Sequence, residues 1–313
     1  MSWPHPIDEL AGLTGPVAVA IGVFDGLHRG HQEVVRAAVE HARQHCGTAV
    51  VLTFDPHPAV VLNPEKVPPL LTTPEHRRQL AAEMGVDRLV ALPFTPAFAA
   101  TPAEGFIRGL VETCRPLGCV SVGYDWRFGR GGSGNVHLLM DAGAREGFAV
   151  YGVPPVRLGG RVVSSTWVRE AVTAGDLERA VELLGRPFGY LGTVVKGRQL
   201  GAQIGFPTAN VTLETQVHPP QGVYVCDVVV DGESHPAVCN LGRRPTVETD
   251  GALSLEAHLL DWQGDIYGRQ IEVRLRSHLR GEQRFEGLAA LTEQIQRDAQ
   301  AAREWWKAFP GKD

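Results

Sequence analysis

The first half of the chain alternates short apolar runs with longer segments of helical period, and this alternation is the feature that most limits its possible folds. The apolar runs are rich in Val and carry few polar residues, as expected of strands that are buried on both faces. They are VAVAIGVF at 17–24, TAVVLTF at 48–54, RLVALPF at 88–94, CVSVGY at 119–124 and FAVYGV at 148–153. This repetition predicts a doubly wound parallel sheet with helices on both faces.

The pattern changes after Arg186, where strand-like segments follow one another closely and several of them alternate with a period of two. The last long segment, at 288–309, has the pattern of one amphipathic helix. Closely spaced strands followed by a single helix predict a small antiparallel β-barrel with a terminal helix. We therefore expect two domains, an α/β domain at 1–186 and a β-barrel domain at 187–313.

Charge and composition exclude several classes of protein. The formal net charge is −5, and each half is mildly acidic, so a protein that depends on binding nucleic-acid phosphates is disfavoured. The longest apolar stretch is too short to span a membrane, and the N-terminus lacks the layout of a signal peptide. The five cysteines are scattered and odd in number, which favours reduced, mostly buried thiols. We expect a cytoplasmic protein without a membrane partner, and the sequence favours no particular oligomeric state.

The segment GVFDGLHRGHQ at 22–32 follows the first predicted strand, at the edge where parallel sheets bind ligands. His28 and His31 are three residues apart at the predicted start of a helix, so both lie on its first turn. The N–H groups and the dipole of a helix N-terminus favour an anion such as a phosphate. Two alternatives remain from the residues alone: solvated polar side chains at a helix cap, and a zinc site, which lacks further ligands at suitable spacing.

The residues from His28 to His31 match the HxGH signature of the nucleotidyltransferase superfamily, which also includes several other adenylyltransferases and the class I tRNA synthetases. The longer segment resembles the bacterial bifunctional enzymes in which riboflavin kinase is fused to FMN adenylyltransferase. The resemblance continues through TFDPHP at 53–58, VGYDWRFG at 122–129 and VSSTWVR at 163–169. It covers most of residues 15–185.

The resemblance implies roles for residues of the first half. It makes His28 and His31 catalytic, as groups that stabilise charge on the triphosphate. It implies contacts to ATP for Gly22, Phe24, Asp25, Gly30, Ser165, Thr166 and Arg169. It implies contacts to the flavin for Phe54, His57, Asp125 and Phe128, although the pattern alone favours Phe54 and Phe128 as core residues.

The second half carries GRQLGAQIGFPTAN at 197–210, directly after a predicted strand. A Gly-rich loop by itself is typical of a plain turn, but GFPTAN resembles the signature of riboflavin kinase. The resemblance implies that Thr208 and Asn210 hold Mg²⁺, that Gly201 and Gly205 contact ATP, and that Arg280 and Phe285 contact the flavin. Ala202 stands where many relatives have a basic residue, which puts a direct phosphate contact at that point in doubt.

Glu256 lies in LEAH at 255–258, which matches the strand that carries the catalytic carboxylate of riboflavin kinases. From pattern alone, Glu256 is an exposed strand residue, because it lies on the side opposite Leu253 and Leu255. The resemblance implies that it takes the proton from the 5′-hydroxyl of riboflavin. The similarity in this half extends from about residue 187 to 305.

The implied function is two Mg²⁺-dependent transfers, from ATP and riboflavin to FMN and ADP, and from ATP and FMN to FAD and pyrophosphate. One alternative is a kinase whose first half adenylylates another substrate. Another is a flavin-binding or nucleotide-binding regulator without turnover, which we would expect to lack His28, His31 or Glu256. A third is a His-rich metallohydrolase, but the 12 histidines are dispersed.

Overall fold

The computed structural model describes residues 10, 13, 15–197, 205–214, 216–243 and 253–309. The chain divides into two compact units. The first unit consists of Met1–Leu70 and Pro74–Ser165, and the second consists of Leu71–Thr73 and Thr166–Asp313.

The first unit contains a five-stranded sheet in the order β3-β2-β1-β4-β5, in which every neighbouring pair is parallel. The strands are β1 Val17–Ile21, β2 Thr48–Asp55, β3 Arg88–Pro93, β4 Leu117–Gly123 and β5 Ala149–Val153. The helices are α1 Arg29–Gln44, α2 Ala59–Leu62, α3 Pro74–Glu83, α4 Pro96–Ala99, α5 Ala103–Thr113 and α6 Val136–Glu146. Two short strands, β6 Arg157–Leu158 and β7 Arg161–Val162, form a small hairpin. The predicted parallel sheet is confirmed.

Successive residues of β1 bury their side chains on opposite faces of the sheet. Ala18 and Ala20 pack in one hydrophobic cluster with buried residues of α1 and α3. Val17, Val19 and Ile21 pack in a second cluster with buried residues of α5 and α6. Because both faces are covered, the strand has no position for a polar side chain, which explains the continuous apolar run.

The second unit contains a closed barrel in the order β10-β11-β12-β9-β8-β13, with antiparallel pairs throughout. Its strands are β8 Gly189–Val195, β9 Ala209–Val211, β10 Gly222–Val230, β11 Glu233–Arg243, β12 Leu253–Leu259 and β13 Gln270–Arg280. Its helices are α7 Ser165–Ala174, whose first residue belongs to the first unit, α8 Leu177–Leu184 and the terminal α9 Leu288–Ala308. The predicted barrel and terminal helix are confirmed.

Helix α9 covers part of the outer face of the barrel. Val223, Val225 and Val238 of the barrel form a cluster with Ala299 and Ala302 of the helix. The intervening residue of β10, Tyr224, is fully buried on the other face, which lines the interior of the closed barrel. Strand β10 is therefore buried on both faces, although its neighbours are antiparallel.

The free thiols are mostly buried. Cys46 is exposed, whereas Cys114, Cys119, Cys226 and Cys239 are buried. Burial raises the pKa of the Cys114 and Cys119 thiols to about 12. These two thiols are therefore protonated at neutral pH and are poor nucleophiles.

The division between the units follows Ser165, whereas the sequence predicts the domain boundary after Arg186. Helix α8 groups with the second unit and buries Leu177, Ala180, Leu183 and Leu184. A fragment that begins at residue 187 lacks α8 and therefore loses the apolar contacts that these side chains make within the second unit. Burial of one large apolar side chain contributes about 1.5–3 kcal/mol to the free energy of unfolding.

We predict that fragments 166–313 and 187–313 both fold and that the longer one unfolds at a higher temperature, because it retains the buried face of α8. Thermal unfolding followed by circular dichroism measures the difference. Equal unfolding temperatures for the two fragments would show that α8 adds nothing to the stability of the barrel. That result would favour a domain boundary after Arg186.

Candidate active sites

The backbone turns sharply between β1 and α1. Phe24, Gly26 and Leu27 have φ values of 52°, 81° and 41°, in the left-handed region that non-glycine residues rarely adopt. The turn places the ring of Phe24 beneath Gly22, where a Cβ atom would lie 3.0 Å from the ring. Phe24 is 1% exposed, so its side chain forms the floor of the turn.

His28 is the N-cap of α1, a helix of 16 residues. Its Nδ1 atom accepts a hydrogen bond of 3.3 Å from the backbone N–H of His31. An Nδ1 that accepts carries no proton, so the neutral imidazole carries its proton on Nε2 and can donate from that atom. The two imidazoles stack with their centroids 3.6 Å apart, at the helix end whose dipole favours an anion.

Gly30 leaves room for the ring of His28. A Cβ atom at this position would lie 3.2 Å from Cε1 and 3.3 Å from Nδ1 of His28. Contacts that short require the imidazole to shift. The glycine between the histidines therefore leaves the His28 ring in its place, and its own backbone conformation does not demand a glycine.

A cavity of about 330 Å³ opens beside these residues. It is lined by the ends of β1, β4 and β5 and by the start of α1. Strand β1 lies in the middle of the sheet, with β2 on one side and β4 on the other, so this is the point where the strand order reverses and α/β folds bind ligands. The lining includes six of the predicted site residues: Gly22, Phe24, His28, Gly30, His31 and Asp125.

The predicted residue Asp25 is buried, does not line the cavity and is held by two contacts. Ser165 donates its hydroxyl to the backbone oxygen of Asp25 at 2.9 Å. The guanidinium of Arg77 lies 4.0 Å from the Asp25 carboxylate and donates to Thr53 Oγ1 at 3.2 Å. Thr53 in turn donates to the backbone oxygen of Val23 at 2.9 Å. Ser165, Arg77 and Thr53 together fix the turn after β1.

Sequence reasoning missed Arg77, which is 5% exposed. Burial lowers the pKa of this guanidinium, while the carboxylates of Asp25 and Asp55 act in the opposite direction. Its spacing in the sequence could have indicated that it is buried. Arg77 precedes Leu80 and Ala81 by three and four residues, and therefore lies on the same buried face of α3.

The predicted flavin residues of the first half lie in different surroundings. Phe54 and His57 line a small cavity of about 40 Å³ at the end of β2, and His57 Nδ1 accepts a hydrogen bond from the backbone N–H of Ala59. Phe128 is 6% exposed and stacks on Trp126 with the centroids 4.9 Å apart. Of this stacked pair, Trp126 lines the β1 cavity and Phe128 does not.

Thr166 and Arg169 belong to the first turns of α7. Thr166 is exposed and Arg169 is half-buried. Both lie in the second unit, whereas Ser165 belongs to the first. Their contact with ATP stays a prediction.

A second cavity of about 330 Å³ lies on the outer face of the barrel, beside α9. Glu256 of β12 pairs with Asn240 of β11 on one side and with Asn210 of β9 on the other. Directly opposed residues of an antiparallel pair point to the same face, so these three side chains form a row. Glu256 and Asn240 line the cavity together with Thr208, while Asn210 is 6% exposed and lies against Gly197.

Arg280 lines the same cavity and is held by an ion pair. Its Nε and a terminal nitrogen bind both carboxylate oxygens of Asp298 in α9, at 2.7 to 3.2 Å. Gln294 also donates to Asp298 at 2.9 Å. The guanidinium lies 5.8 Å from the ring centroid of Phe285, which completes this side of the cavity.

The described residues include only part of the predicted nucleotide loop. Gly205, with a φ of 86°, begins the described segment, and Gly201 lies outside the described residues, as do Arg198 and Ala202.

Sequence reasoning missed Asp298, because its ion-pair partner Arg280 lies on a different element and no local pattern connects them.

Comparison with known proteins assigns the family. The FAD synthetase family model matches residues 12–167, and the riboflavin kinase family model matches residues 184–306. The bifunctional riboflavin kinase/FMN adenylyltransferase of Escherichia coli (strain K12) is 42% identical over 289 residues, which are 92% of this chain and 92% of that protein. The chain belongs to the bifunctional riboflavin kinase/FMN adenylyltransferase family. Its relative in Bacillus subtilis (strain 168) is 35% identical over 303 residues, 95% of each chain.

The predicted activities are thereby confirmed. The FAD synthetase part adenylylates FMN to FAD, and the riboflavin kinase part phosphorylates riboflavin to FMN, so ATP, riboflavin and FMN are substrates. A crystal structure described as a macrolide-efflux protein from Streptococcus pneumoniae has a TM-score of 0.79 and is 30% identical, covering 96% of this chain and 99% of that chain. Within the described ranges, no helix is both long and apolar enough to cross a membrane.

We predict that Gly30→Ala lowers the rate of FAD formation from FMN about 10-fold, because the added methyl group displaces the His28 imidazole by a few tenths of an ångström. Chromatography of the flavins measures both activities in one sample. Gly147→Ala is the matched control, since an added Cβ there meets nothing within 4 Å, although its positive φ adds local strain. Unchanged FAD formation in Gly30→Ala would show that the position of His28 does not limit the reaction.

Proposed function

We propose that the cavity at the end of β1 binds the ATP of the adenylyl transfer, with the triphosphate at the N-terminus of α1. The stacked pair of His28 and His31 is the observation that carries this assignment. In the reaction, a phosphate oxygen of FMN attacks the α-phosphorus of ATP, the bond to the bridging oxygen breaks, and pyrophosphate leaves. An Nε2–H of His28 stabilises the charge that develops on the phosphate oxygens.

The remaining predicted residues of this site divide by their surroundings. Gly22 and Gly30 allow the nucleotide to approach the backbone, and Asp25 holds the turn through its contacts with Ser165 and Arg77. The family resemblance further implies that Thr166 and Arg169 bind the phosphates of ATP. We assign Phe54, His57 and Asp125 to contacts with the flavin. Phe128 stacks on Trp126, which lines the cavity, and so supports the flavin site indirectly.

We predict that replacing His28 and His31 together with Ala lowers FAD formation at least about 100-fold, because both donors to the triphosphate are removed. FMN formation should continue at the parent rate, since the kinase site lies in the other unit. The control is His45→Ala, an exposed histidine near the other end of the same helix. FAD formation at the parent rate in the double variant would remove both histidines from the site.

The barrel cavity is our proposed riboflavin kinase site, with Glu256 as the base. Glu256 takes the proton of the 5′-hydroxyl while the hydroxyl oxygen attacks the γ-phosphorus of ATP, and ADP leaves. Glu256 is half-buried and lines the cavity together with Arg280 and Phe285. We assign Arg280 and Phe285 to the flavin, which they would contact from the side of α9.

The residues near Glu256 fit a magnesium ion. Thr208 lines the cavity, and the amide of Asn210 is buried beside Gly197, where any side chain would collide with it. Hydroxyl and amide oxygens are ligands that Mg²⁺ accepts. We propose that Thr208 and Asn210 hold Mg²⁺, which when bound would neutralise charge on the ATP phosphates, and that Gly201 and Gly205 contact ATP.

We predict that Glu256→Gln lowers the kcat of riboflavin phosphorylation by about 10²- to 10⁴-fold, because a positioned base contributes that much to proton transfer. The KM values for riboflavin and ATP should change little, and supplied FMN should still be converted to FAD. Glu293→Gln, at a carboxylate exposed on α9, is the matched control. A Glu256→Gln enzyme within a few-fold of the parent would overturn the assignment.

We also propose that the enzyme works in the cytoplasm on these small molecules, without a nucleic-acid or membrane partner. The net charge of −5 and the buried thiols support this proposal. Fractionation of cells followed by assay of FAD formation tests it, since activity in the pelleted membranes would contradict it.

A further inference from the structure

His258 lies on β12 two residues after Glu256, so both side chains project from the same face of the strand. Both line the cavity on the outer face of the barrel. His258 is therefore part of the kinase site, although neither its residue type nor its spacing assigned it a role in the sequence.

The imidazole of His258 contacts the nucleotide segment at two points. Its Nδ1 atom lies 2.8 Å from the backbone oxygen of Pro207. A carbonyl oxygen only accepts, so Nδ1 carries the proton and donates. The ring also meets that of Phe206 edge to face, with the centroids 5.3 Å apart.

These contacts lie where the strand ladder stops. Strand β9 pairs with β12 from Ala209 to Val211, with Asn210 opposite Glu256. Thr208 precedes the first paired residue, so the ladder does not hold it. Pro207 has no N–H to donate, so its carbonyl is the one backbone group through which this residue can form a hydrogen bond. The bond from His258 extends the attachment of this segment to β12 by two residues beyond the ladder.

We propose that His258 is a positioning residue of the riboflavin kinase site. By donating Nδ1–H to the Pro207 carbonyl and packing on Phe206, it fixes the backbone just before Thr208, while the ladder with β12 holds Ala209 just after it, and so sets the hydroxyl toward Mg²⁺-ATP. This inference rests on the proposed role of Thr208. It assigns His258 no proton transfer and no contact with the reacting atoms.

The chemistry of the donor provides a matched set of variants. In His258→Asn, the amide nitrogen is separated from Cβ by one atom, as Nδ1 is, and can reach the Pro207 carbonyl. In His258→Gln, the amide is one methylene further out, near the place of Nε2. His258→Leu keeps the bulk and removes the donor. Of these three side chains, only Asn presents a donor at the place of Nδ1.

The experiment measures kcat and the KM for Mg²⁺-ATP and for riboflavin in the full chain. We expect His258→Leu and His258→Gln to raise the KM for Mg²⁺-ATP about 3- to 10-fold, the effect of one lost hydrogen bond, with a smaller change in the KM for riboflavin. His258→Asn should restore most of the parent value. FMN adenylylation, measured in the same samples, should stay at the parent rate and report intact protein.

Two results would overturn the inference. One is a KM for Mg²⁺-ATP that stays at the parent value in both His258→Leu and His258→Gln. The other is a rise of equal size in His258→Asn and His258→Gln, because the place of the donor would then be irrelevant. Should His258→Leu fail to fold, the comparison of Asn with Gln still decides between these outcomes.

Thr208→Ala separates this inference from the proposed function. If Thr208→Ala leaves the KM for Mg²⁺-ATP unchanged, the proposed role of Thr208 fails, and the inference about His258 fails with it. If Thr208→Ala raises that KM and the His258 variants do not, the role of Thr208 stands and His258 alone is wrongly assigned.

Discussion

The alternation of side chains along β-strands is the constraint on which both sites depend. Along β1 it sends Ala18 and Ala20 toward α1 and the larger Val19 and Ile21 toward α5 and α6. The small residues allow α1 to pack closely on the sheet, so the first turn of the helix lies at the end of β1. A register change of one residue would exchange these faces and displace the stacked histidines.

The same alternation explains what could be predicted in the barrel and what could not. Leu255 and Ala257 face the interior, and the pattern correctly places Glu256 on the opposite side. From pattern alone that side is exposed, but in the structure Glu256 is half-buried in a cavity beside α9. Helix α9, which follows β12 by about 30 residues in the chain, covers this side of the strand. Period-two alternation within a strand contains no information about such a distant element.

The residues that sequence reasoning missed share one property, which is that their partners are distant in the chain. Arg77 is buried beside Asp25 and Thr53, and Asp298 binds Arg280 on another element. A buried charge is stable only when an opposite charge or several hydrogen bonds compensate it. Spacing can place Arg77 on the buried face of α3, but it cannot identify the partners that compensate the charge. Motif similarity proposed residues that contact substrates, and it did not propose residues such as Arg77 and Asp298 that hold their neighbours in place.

The two sites differ in how firmly the fold holds their binding segments. In the first unit the turn after β1 is fixed by Thr53, Arg77 and Ser165, and the N-cap bond of His28 closes it onto α1. In the barrel, the segment before β9 lies beyond the strand ladder and is attached through His258. Segments with fewer hydrogen bonds open locally at a lower free-energy cost, and a ligand that binds only the closed arrangement stabilises it by mass action. From the bonds among the described residues, we therefore expect substrate binding to contribute more to the final geometry of the proposed kinase site than to that of the proposed adenylyltransferase site.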